Sequence, residues 1–302
     1  MKPKAILLLG PTASGKTALA IELANKFNGE IINADSRQFY KKMPIITAMP
    51  DDEEFAQATH HLFDILEPDD NFSAAKYINL AKQVAQDITN RGKLPIFVGG
   101  TGLYIKALED GLSPSPRPDA ELVEQLNLLS FDELISQLNE LDPDVAKNIK
   151  LNDRYRAIVA LRTIKQTGKS ITYWQSLPNT DMLDYDFIHL SLNPEREVLY
   201  SRINKRADKM VDLGVIDEVK ALLDEYGEDK LNSLTSIGFD IFVDALKDNI
   251  ETDKAIELFA QKQRNYAKRQ VTWMRNQYPN EHTCDDLNVT FEFLERRLKQ
   301  EV

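Results

Sequence analysis

The stretch K-A-I-L-L-L-G-P-T-A-S-G-K-T, from Lys4 to Thr17, decides the fold of this 302-residue chain. An apolar run of strand length, Lys4 to Leu9, leads directly into G-x-x-x-x-G-K-T and then into helical spacing that continues to Phe27. Strand, glycine loop and helix together are the context that a phosphate-binding P-loop requires. We therefore predict such a loop from the residues Gly10, Pro11, Thr12, Ala13, Ser14, Gly15, Lys16 and Thr17.

The chemistry of this loop predicts a diphosphate ligand. Backbone amides and the N-terminus of the following helix form an anion cradle, and Lys16 adds a positive charge. The Thr17 hydroxyl can ligate Mg²⁺. Such a loop binds a diphosphate whatever organic group the diphosphate carries, so a nucleoside is not implied.

The next glycine cluster argues against an enzyme that hydrolyses nucleoside triphosphates. Such enzymes usually place an acidic residue at the end of a later apolar strand to hold Mg²⁺. Here the apolar run from Leu94 to Val98 continues into Gly99-Gly100-Thr101-Gly102, without a carboxylate. The turn instead places the Thr101 hydroxyl where it can approach a phosphate closely.

Asp35 is the acidic residue that does stand at the end of a predicted strand, which runs from Glu30 to Ala34. Because ligands gather beyond the carboxyl ends of parallel strands, Asp35 is expected at the same edge as the P-loop. Its carboxylate could act as a general base, bind a metal, or cap a helix N-terminus. The residues alone leave these alternatives open.

Alternating strands and helices predict an α/β fold, a P-loop NTPase-like parallel sheet flanked by helices. Further strands are predicted from His61 to Leu66 and from Asp186 to Ser191, and Ser73 is predicted to cap a helix. After the last of these strands, Asn193-Pro194 predicts an N-cap with proline at the first helical position.

The domain organisation follows from a change in the sequence pattern at Pro114, Pro116 and Pro118, which interrupt the alternation of strands and helices. Beyond this stiff connector the pattern is helical without a convincing strand, so we predict an all-helical insertion domain over 117–183. The P-loop core domain comprises 1–116 and 184–302, and its C-terminal region is helical. Its longest helix is expected from Asp253 to Tyr278, before Pro279.

Composition limits the kinds of site that the chain can build. The net charge of -11 means that any RNA site must be a local basic patch. The single cysteine, Cys284, excludes an intramolecular disulfide and a Cys-rich zinc site. The apolar run near the N-terminus is too short for a signal peptide or a membrane span, so a cytoplasmic protein without membrane contact is expected.

The segment from Gln261 to Arg275 is the best candidate for such a patch. It holds five basic residues and no acidic one, interleaved with Tyr266 and Trp273. Basic side chains can neutralise phosphates and aromatic rings can stack on bases, although these two rings could simply be core. Another helix places Arg202, Arg206 and Lys209 on one face, for which a solvated basic surface is the default interpretation.

Several motifs together resemble the tRNA dimethylallyltransferase family. They are G-P-T-A-S-G-K-T at 10–17, D-S-R-Q-x-Y at 35–40, H-H-L-x-D at 60–64, F-V-G-G-T-G-L-Y-I-K at 97–106, L-Y-S-R-I-N-K-R at 199–206, S-I-G-F at 236–239 and Y-A-K-R-Q-x-T-W at 266–273. The resemblance extends over nearly the whole chain.

This resemblance implies transfer of a dimethylallyl group from dimethylallyl diphosphate to the exocyclic N6 amine of the adenosine 3′ to the anticodon in tRNA. It implies that Asp35 is the general base, that Thr101 and Arg206 face the departing pyrophosphate, and that Mg²⁺ is the cofactor. The tRNA contacts that it implies are Asp35, Ser36, Arg37, Gln38, Arg156, Ile237, Gly238, Phe239, Lys268, Arg269 and Arg275. A monomer without an obligate protein partner is expected.

The chain departs from the family pattern in places. Family members usually show G-T-A-K-P where this chain has I-T-A-M-P at 46–50, so a lysine is replaced by Met49. The family's R-x-x-R-A-L-E-V begins here at Arg156 but has Val159 and Arg162 in place of its second arginine and its glutamate. The C-terminal zinc finger of eukaryotic members is absent, which indicates a bacterial type.

Two alternative functions stay open at this point. The first is prenylation of free AMP, ADP or ATP, as in cytokinin-forming relatives. The second is a P-loop RNA-binding protein that has lost catalysis.

Overall fold

The computed structural model describes residues 2–70, 72–231 and 238–300, which form two compact units. One unit comprises Met1–Glu109 with Leu183–Val302, and the other comprises Asp110–Met182. Among the described residues, no helix is long and apolar enough to cross a membrane.

The first unit contains a six-stranded sheet in the order β3-β2-β4-β1-β5-β6, and every pairing is parallel. The strands are β1 Lys4–Leu9, β2 Gly29–Asn33, β3 His60–His61, β4 Leu94–Gly99, β5 Asp186–Ser191 and β6 His282–Thr283. The predicted parallel sheet flanked by helices is confirmed.

The helices, in chain order, are α1 Lys16–Phe27, α2 Asp52–Gln57, α3 Ala74–Asn90, α4 Gly102–Asp110, α5 Ala120–Asn127, α6 Phe131–Leu141, α7 Pro143–Ala146, α8 Arg154–Thr167, α9 Ile171–Gln175, α10 Arg196–Asp212, α11 Val215–Tyr226, α12 Glu228–Leu231, α13 Phe239–Leu246, α14 Thr252–Gln277 and α15 Leu287–Lys299. The long C-terminal helix is α14, within one residue of its predicted bounds. Ser73 caps α3 as predicted, because its side chain accepts a hydrogen bond from the Lys76 amide.

Two local predictions were wrong. The strand expected from His61 to Leu66 stops at His61, because Leu62 and Asp64 take positive φ angles of 64° and 54°, which do not fit a strand. Helix α10 begins at Arg196 with Glu195 as N-cap, two residues after the predicted start. The reason is that the Leu192 amide still donates to the Leu9 carbonyl, so the chain leaves the sheet later than expected.

Apolar side chains cover the sheet. On one face Ile6, Leu8 and Ile96 pack with Leu23 of α1 and Leu294 of α15. Because β1, β2 and β4 are parallel, their carboxyl ends at Leu9, Asn33 and Gly99 meet at one edge. The P-loop, Asp35 and the glycine turn that begins at Gly99 therefore leave the sheet side by side.

The second unit is a small helical body. Leu126 of α5, Leu134 and Leu138 of α6 and Leu161 of α8 form its apolar core. An isolated backbone bridge joins Leu112 to Thr180 near the ends of this unit. That 117–183 constitutes a domain stays a prediction.

Candidate active site

The P-loop connects β1 to α1 through residues with positive φ angles, 62° at Ala13 and 98° at Gly15. The Lys16 ammonium, at the start of α1, donates to the Pro11 carbonyl at 2.8 Å. Burial lowers the pKa of Lys16 to about 8, although the nearby Asp35 carboxylate favours its charged form. A cation buried beside backbone amides is poised to pair with a phosphate.

Ser14 supplies an unsatisfied hydroxyl in the same loop. Ser14 is only 3% exposed, and its Oγ has no hydrogen-bond partner among the described residues. A buried hydroxyl without a partner carries a desolvation cost that an anionic ligand would remove.

Asp35 is oriented by backbone and side-chain contacts just beyond β2. Its amide donates to Asn33 Oδ1 at 2.7 Å, and its Oδ1 accepts from the Arg37 amide at 3.0 Å. The chain continues through bends and turns, so the helix N-cap interpretation of Asp35 is wrong. The base and metal-ligand interpretations both remain compatible with this geometry.

Thr101 joins the Asp35 turn to the glycine turn. Its Oγ1 accepts a hydrogen bond from the Ser36 amide at 3.0 Å. Burial raises the pKa of Tyr266 to about 12, and Asp35 and Thr101 are among the groups that act on its phenol. Asp35, Thr101 and Tyr266 therefore belong to one neighbourhood, although they come from three distant parts of the chain.

Helix α10 contacts the P-loop through two arginines. Arg206 Nη2 donates to Thr12 Oγ1 at 2.7 Å, and Arg202 Nη1 donates to the Ser14 carbonyl at 2.9 Å. Burial lowers the pKa of Arg206 to about 10, which still leaves it charged at neutral pH. The prediction that Arg202 and Arg206 form part of a solvated basic surface is therefore wrong, because both side chains contact the P-loop.

A cavity of about 620 Å³ brings the P-loop, Asp35, Arg202 and Arg206 together, whereas Thr101 and Tyr266 are not among its lining residues. Its polar side is lined by Lys16, Thr17, Asp35, Arg206 and Lys209. Several apolar side chains line it as well, namely Ile31, Ile45, Met49, Phe63, Val98 and Met210. A volume of this size suits a small ligand with a charged and an apolar part.

Gln38 and Met49 belong to the wall of this cavity. Gln38 Nε2 donates to the Thr47 and Ala48 carbonyls at 3.3 and 2.7 Å, and thereby holds the segment that carries Met49. Met49 occupies the position where the family pattern has a lysine, so this part of the wall lacks that positive charge, and the nearby lining residues Asp51 and Glu54 are acidic.

Helix α14 presents different residues to the site and to solvent. Lys268, Arg269 and Arg275 are exposed, as a nucleic-acid surface requires. Lys268 and Arg275 also line a hollow of about 310 Å³ that includes Tyr200 of α10. Trp273 packs closely against Gly102, where an added Cβ would lie 2.3 Å from the indole. The rings of α14 therefore face the glycine turn.

The other predicted contact residues lie in varied surroundings. Arg156 is exposed at the start of α8, in the second unit, and its Nε lies 3.3 Å from Asp153 Oδ2. Gly238 precedes α13 with φ 96°, and Phe239 is 2% exposed within a hydrophobic cluster. Ile237 lies outside the described residues. The Phe239 side chain is packed in that cluster and is not among the residues that line the cavity.

Gln270 is a site residue to which the sequence alone assigned no role. It is 6% exposed on α14, accepts from the Thr12 amide at 2.8 Å and donates to the Gly100 carbonyl at 3.0 Å. The available signal was helical spacing, because Tyr266, Gln270 and Trp273 share one face of α14. A polar residue between two aromatic ones on an inward face is a candidate for a buried contact.

Comparisons of sequence agree with the motifs. A family model described as IPP transferase matches residues 38–277. The chain is 41% identical over 293 residues to a tRNA dimethylallyltransferase of Rickettsia conorii, covering 95% of this chain and 81% of that protein. It is 44% identical over 280 residues to a tRNA dimethylallyltransferase of Anoxybacillus flavithermus, covering 92% and 89%.

Comparisons of structure give the same result. The tRNA isopentenylpyrophosphate transferase from Bacillus halodurans matches with a TM-score of 0.71 and 36% identity, over 99% of this chain and 96% of that one. A eukaryotic dimethylallyltransferase acting on tRNA matches with a TM-score of 0.77 and 28% identity, over 98% and 77%. The resemblance inferred from the motifs is confirmed.

Proposed function

The chain belongs to the IPP transferase family of tRNA dimethylallyltransferases, and from this premise we propose how its site works. It is a prenyltransferase that transfers a dimethylallyl group to an adenosine of tRNA. The donor is dimethylallyl diphosphate, and the acceptor atom is the exocyclic N6 amine of the adenosine 3′ to the anticodon. Pyrophosphate is the second product.

One observation carries this proposal: Asp35 lines the same cavity as the P-loop, whose cations and amides suit a diphosphate. A carboxylate beside an anion cradle is suited to deprotonate a nucleophile while a leaving group departs. The apolar wall formed by Met49, Phe63 and Met210 suits a hydrocarbon chain.

In the reaction, the allylic C–O bond to the diphosphate breaks and a C–N bond to N6 forms. Negative charge develops on the leaving oxygens, where Lys16, Arg206 and the P-loop amides stabilise it. The unpartnered Ser14 hydroxyl and the Thr101 hydroxyl add donors. Lys16 and Arg206 are oriented before a ligand binds, because Lys16 donates to the Pro11 carbonyl and Arg206 donates to the Thr12 hydroxyl.

The proton from N6 passes to Asp35. The Arg37 amide orients one carboxylate oxygen, and the contact with Asn33 fixes the backbone. General-base catalysis of this kind contributes about 10² to 10⁴ in rate. In this proposal Asp35 is the base, and the metal-ligand role is secondary.

Mg²⁺ fits the donor set of the cavity. Thr17 offers a hydroxyl oxygen at the P-loop, and Mg²⁺ prefers few protein oxygens together with those of a bound phosphate. Among the described residues, no cluster of three or more His, Cys, Asp or Glu side chains could hold a metal ion. When bound beside Thr17, the ion would neutralise charge on the diphosphate.

The exposed basic residues of α14 would bind the tRNA backbone near the cavity. We assign the phosphate contacts to Lys268, Arg269 and Arg275. We assign Ser36, Arg37 and Gln38, of which Gln38 lines the cavity, to the place where the target adenosine enters. Extrusion of that base from the anticodon loop would bring N6 to Asp35. Arg156, Ile237 and Gly238 complete the proposed set of tRNA contacts, to which Phe239 would contribute its backbone, because its side chain is buried. We further propose a cytoplasmic monomer, in which 117–183 is a domain.

The test is a transfer assay with labelled dimethylallyl diphosphate, run in parallel on unmodified tRNA and on AMP, ADP and ATP. We expect label in tRNA alone. Label in free nucleotides alone would show a cytokinin-type enzyme, and label in none would show a protein that has lost catalysis. The exposed basic face of α14 favours tRNA, since a free nucleotide needs no such surface.

A further inference from the structure

Gln270 contacts two catalytic loops at once. Its Oε1 accepts from the Thr12 amide of the P-loop at 2.8 Å, and its Nε2 donates to the Gly100 carbonyl of the glycine turn at 3.0 Å. The side chain reaches them from the middle of α14 and is almost fully buried. A buried amide with both ends paired is a rigid connection.

The chemistry of the two partners fixes which way the amide points. A backbone N–H can only donate and a carbonyl can only accept, so Oε1 must face Thr12 and Nε2 must face Gly100. Glutamate would keep the acceptor but lose the donor. Methionine has nearly the same shape and would lose both contacts.

Gly100 is adapted to this contact. A Cβ at residue 100 would lie 2.1 Å from Gln270 Nε2, so only glycine lets the turn approach α14 this closely. The neighbours of Gln270 on the same helix face hold the rest of the turn. Thr101 is among the groups that act on the Tyr266 phenol, and Trp273 packs against Gly102.

Thr12 is held from two sides. Gln270 accepts a hydrogen bond from the Thr12 amide, and Arg206 of α10 donates to the Thr12 hydroxyl at 2.7 Å. With the amide of Thr12 committed to Gln270, the direction of the following P-loop amides is set by a side chain of α14. The diphosphate cradle and the turn that carries Thr101 thus share one support.

We propose that Gln270 is a positioning residue that fixes the Thr12 amide and the Gly100 carbonyl relative to each other, and thereby aligns the diphosphate cradle with Thr101. This inference rests on the proposed function. The same helix exposes Lys268 and Arg269, so the support of the cradle and the tRNA surface lie on one rigid element. A displacement of about 1 Å in such an arrangement can lower the rate by about 10²-fold.

The experiment compares Gln270→Met with a matched control, Gln86→Met, at an exposed glutamine of α3 that hydrogen-bonds Asn90. Three quantities are measured well below the unfolding temperature: the Kd of inorganic pyrophosphate by calorimetry, the Kd of tRNA, and kcat. We expect Gln270→Met to weaken pyrophosphate binding about 10-fold and to lower kcat by about 10- to 100-fold. The Kd of tRNA should stay within about twofold, and the control should match wild type throughout.

A second variant, Gln270→Glu, adds a pH readout that a merely structural role would not give. Its carboxylate accepts from Thr12 but repels the Gly100 carbonyl, whereas its protonated form can donate to Gly100. The activity of Gln270→Glu relative to wild type should therefore rise as the pH falls from about 8 to about 6. The Gln270→Met deficit should not change with pH.

Two results would overturn the inference. One is a Gln270→Met protein whose pyrophosphate Kd and kcat lie within twofold of wild type. The other is a parallel loss of tRNA binding, pyrophosphate binding and folded protein, which would indicate general destabilisation. Failure of the proposed function would look different, because wild type itself would then transfer no prenyl group, while pyrophosphate binding would still report on Gln270.

Discussion

Asp35 illustrates how a single residue acquires its role from its surroundings. The Asn33 side chain and the Arg37 amide hold it beyond β2, and the cavity places it with Lys16 and Arg206. Both cations have pKa values lowered by burial, and the Asp35 carboxylate opposes that effect in each case. The Asp35 carboxylate therefore stabilises the charged forms of Lys16 and Arg206 in the diphosphate site, in addition to its proposed role as base for the acceptor amine.

Substitution of Asp35 separates a base from a metal ligand. With Asp35→Asn we expect single-turnover transfer to fall by about 10² to 10⁴, because the N6 proton has no acceptor. The Kd of pyrophosphate with Mg²⁺ should change little, since the P-loop is intact. Calorimetry and rapid-quench kinetics give the two values, and a comparable loss in both would indicate metal ligation instead.

His189 provides a second test at the residue scale, away from the cavity. Its ring nitrogens lie 2.6 Å from Glu109 and 3.1 Å from Glu281. Burial disfavours the imidazolium, but the two carboxylates outweigh burial and raise the pKa of His189 above 6.5. The stabilisation is therefore complete below pH 6.5 and is lost as the pH rises through the folded-state value.

We expect His189→Gln to lower Tm more at pH 6 than at pH 8, by about 2–4 °C if the charged pairing contributes ~1 kcal/mol. Differential scanning calorimetry at both pH values measures this. His282→Gln is the control, because His282 hydrogen-bonds Thr290 and not a carboxylate. An equal loss of Tm for His189→Gln at both pH values would contradict the assignment.

At the scale of secondary structure, α14 combines two functions on two faces. Gln270 and Trp273 contact the P-loop and the glycine turn, while Lys268, Arg269 and Arg275 face solvent. A helix of 26 residues can do both because its faces are independent. The sequence left open whether the aromatic residues stack on bases or pack inside; the structure shows that Trp273 packs against the protein.

Removal of the three exposed charges of α14 tests the nucleic-acid surface. The variant Lys268→Ala/Arg269→Ala/Arg275→Ala should bind tRNA more weakly, and its plot of log K against log salt should be shallower by about 2. Its Kd for pyrophosphate should match wild type. A filter-binding titration at several salt concentrations measures both the affinity and the slope.

The matched control for this variant is Arg296→Ala/Lys299→Ala, two exposed basic residues of α15. Helix α15 packs on the sheet face that also holds α1, through Leu294. If the control changes the salt slope as much per charge removed as the α14 variant does, attraction to tRNA is spread over the surface and α14 has no special part.

At the scale of the whole molecule, the sequence predicted the centre of the sheet well because β1, β2 and β4 contain short apolar runs that lead into Gly10, Asp35 and Gly99. It missed β6, whose two residues, His282 and Thr283, are too few to show a pattern. The sequence-based prediction extended β3 too far, because the residue types at 62 and 64 do not indicate the positive φ angles of Leu62 and Asp64.

The active site was predictable where local motifs carry chemistry and not where distant segments meet. The P-loop, Asp35 and Thr101 stand out within short stretches of sequence. The contacts of Arg202 with Ser14 and of Gln270 with Thr12 join segments 188 and 258 residues apart, and only the folded chain brings them together. Helical spacing in the sequence can indicate that Gln270 faces inward, but it does not indicate which distant segment Gln270 contacts.

The central claim, that the chain prenylates one adenosine of tRNA, is tested most directly by locating the modification. Unmodified tRNA with adenosine 3′ to the anticodon, and the same tRNA with guanosine there, are incubated with protein and dimethylallyl diphosphate, digested and analysed by mass spectrometry. We predict one dimethylallyl group on N6 of that adenosine in the first tRNA and none in the second. Modification elsewhere, of both tRNAs alike, or of neither would contradict the account.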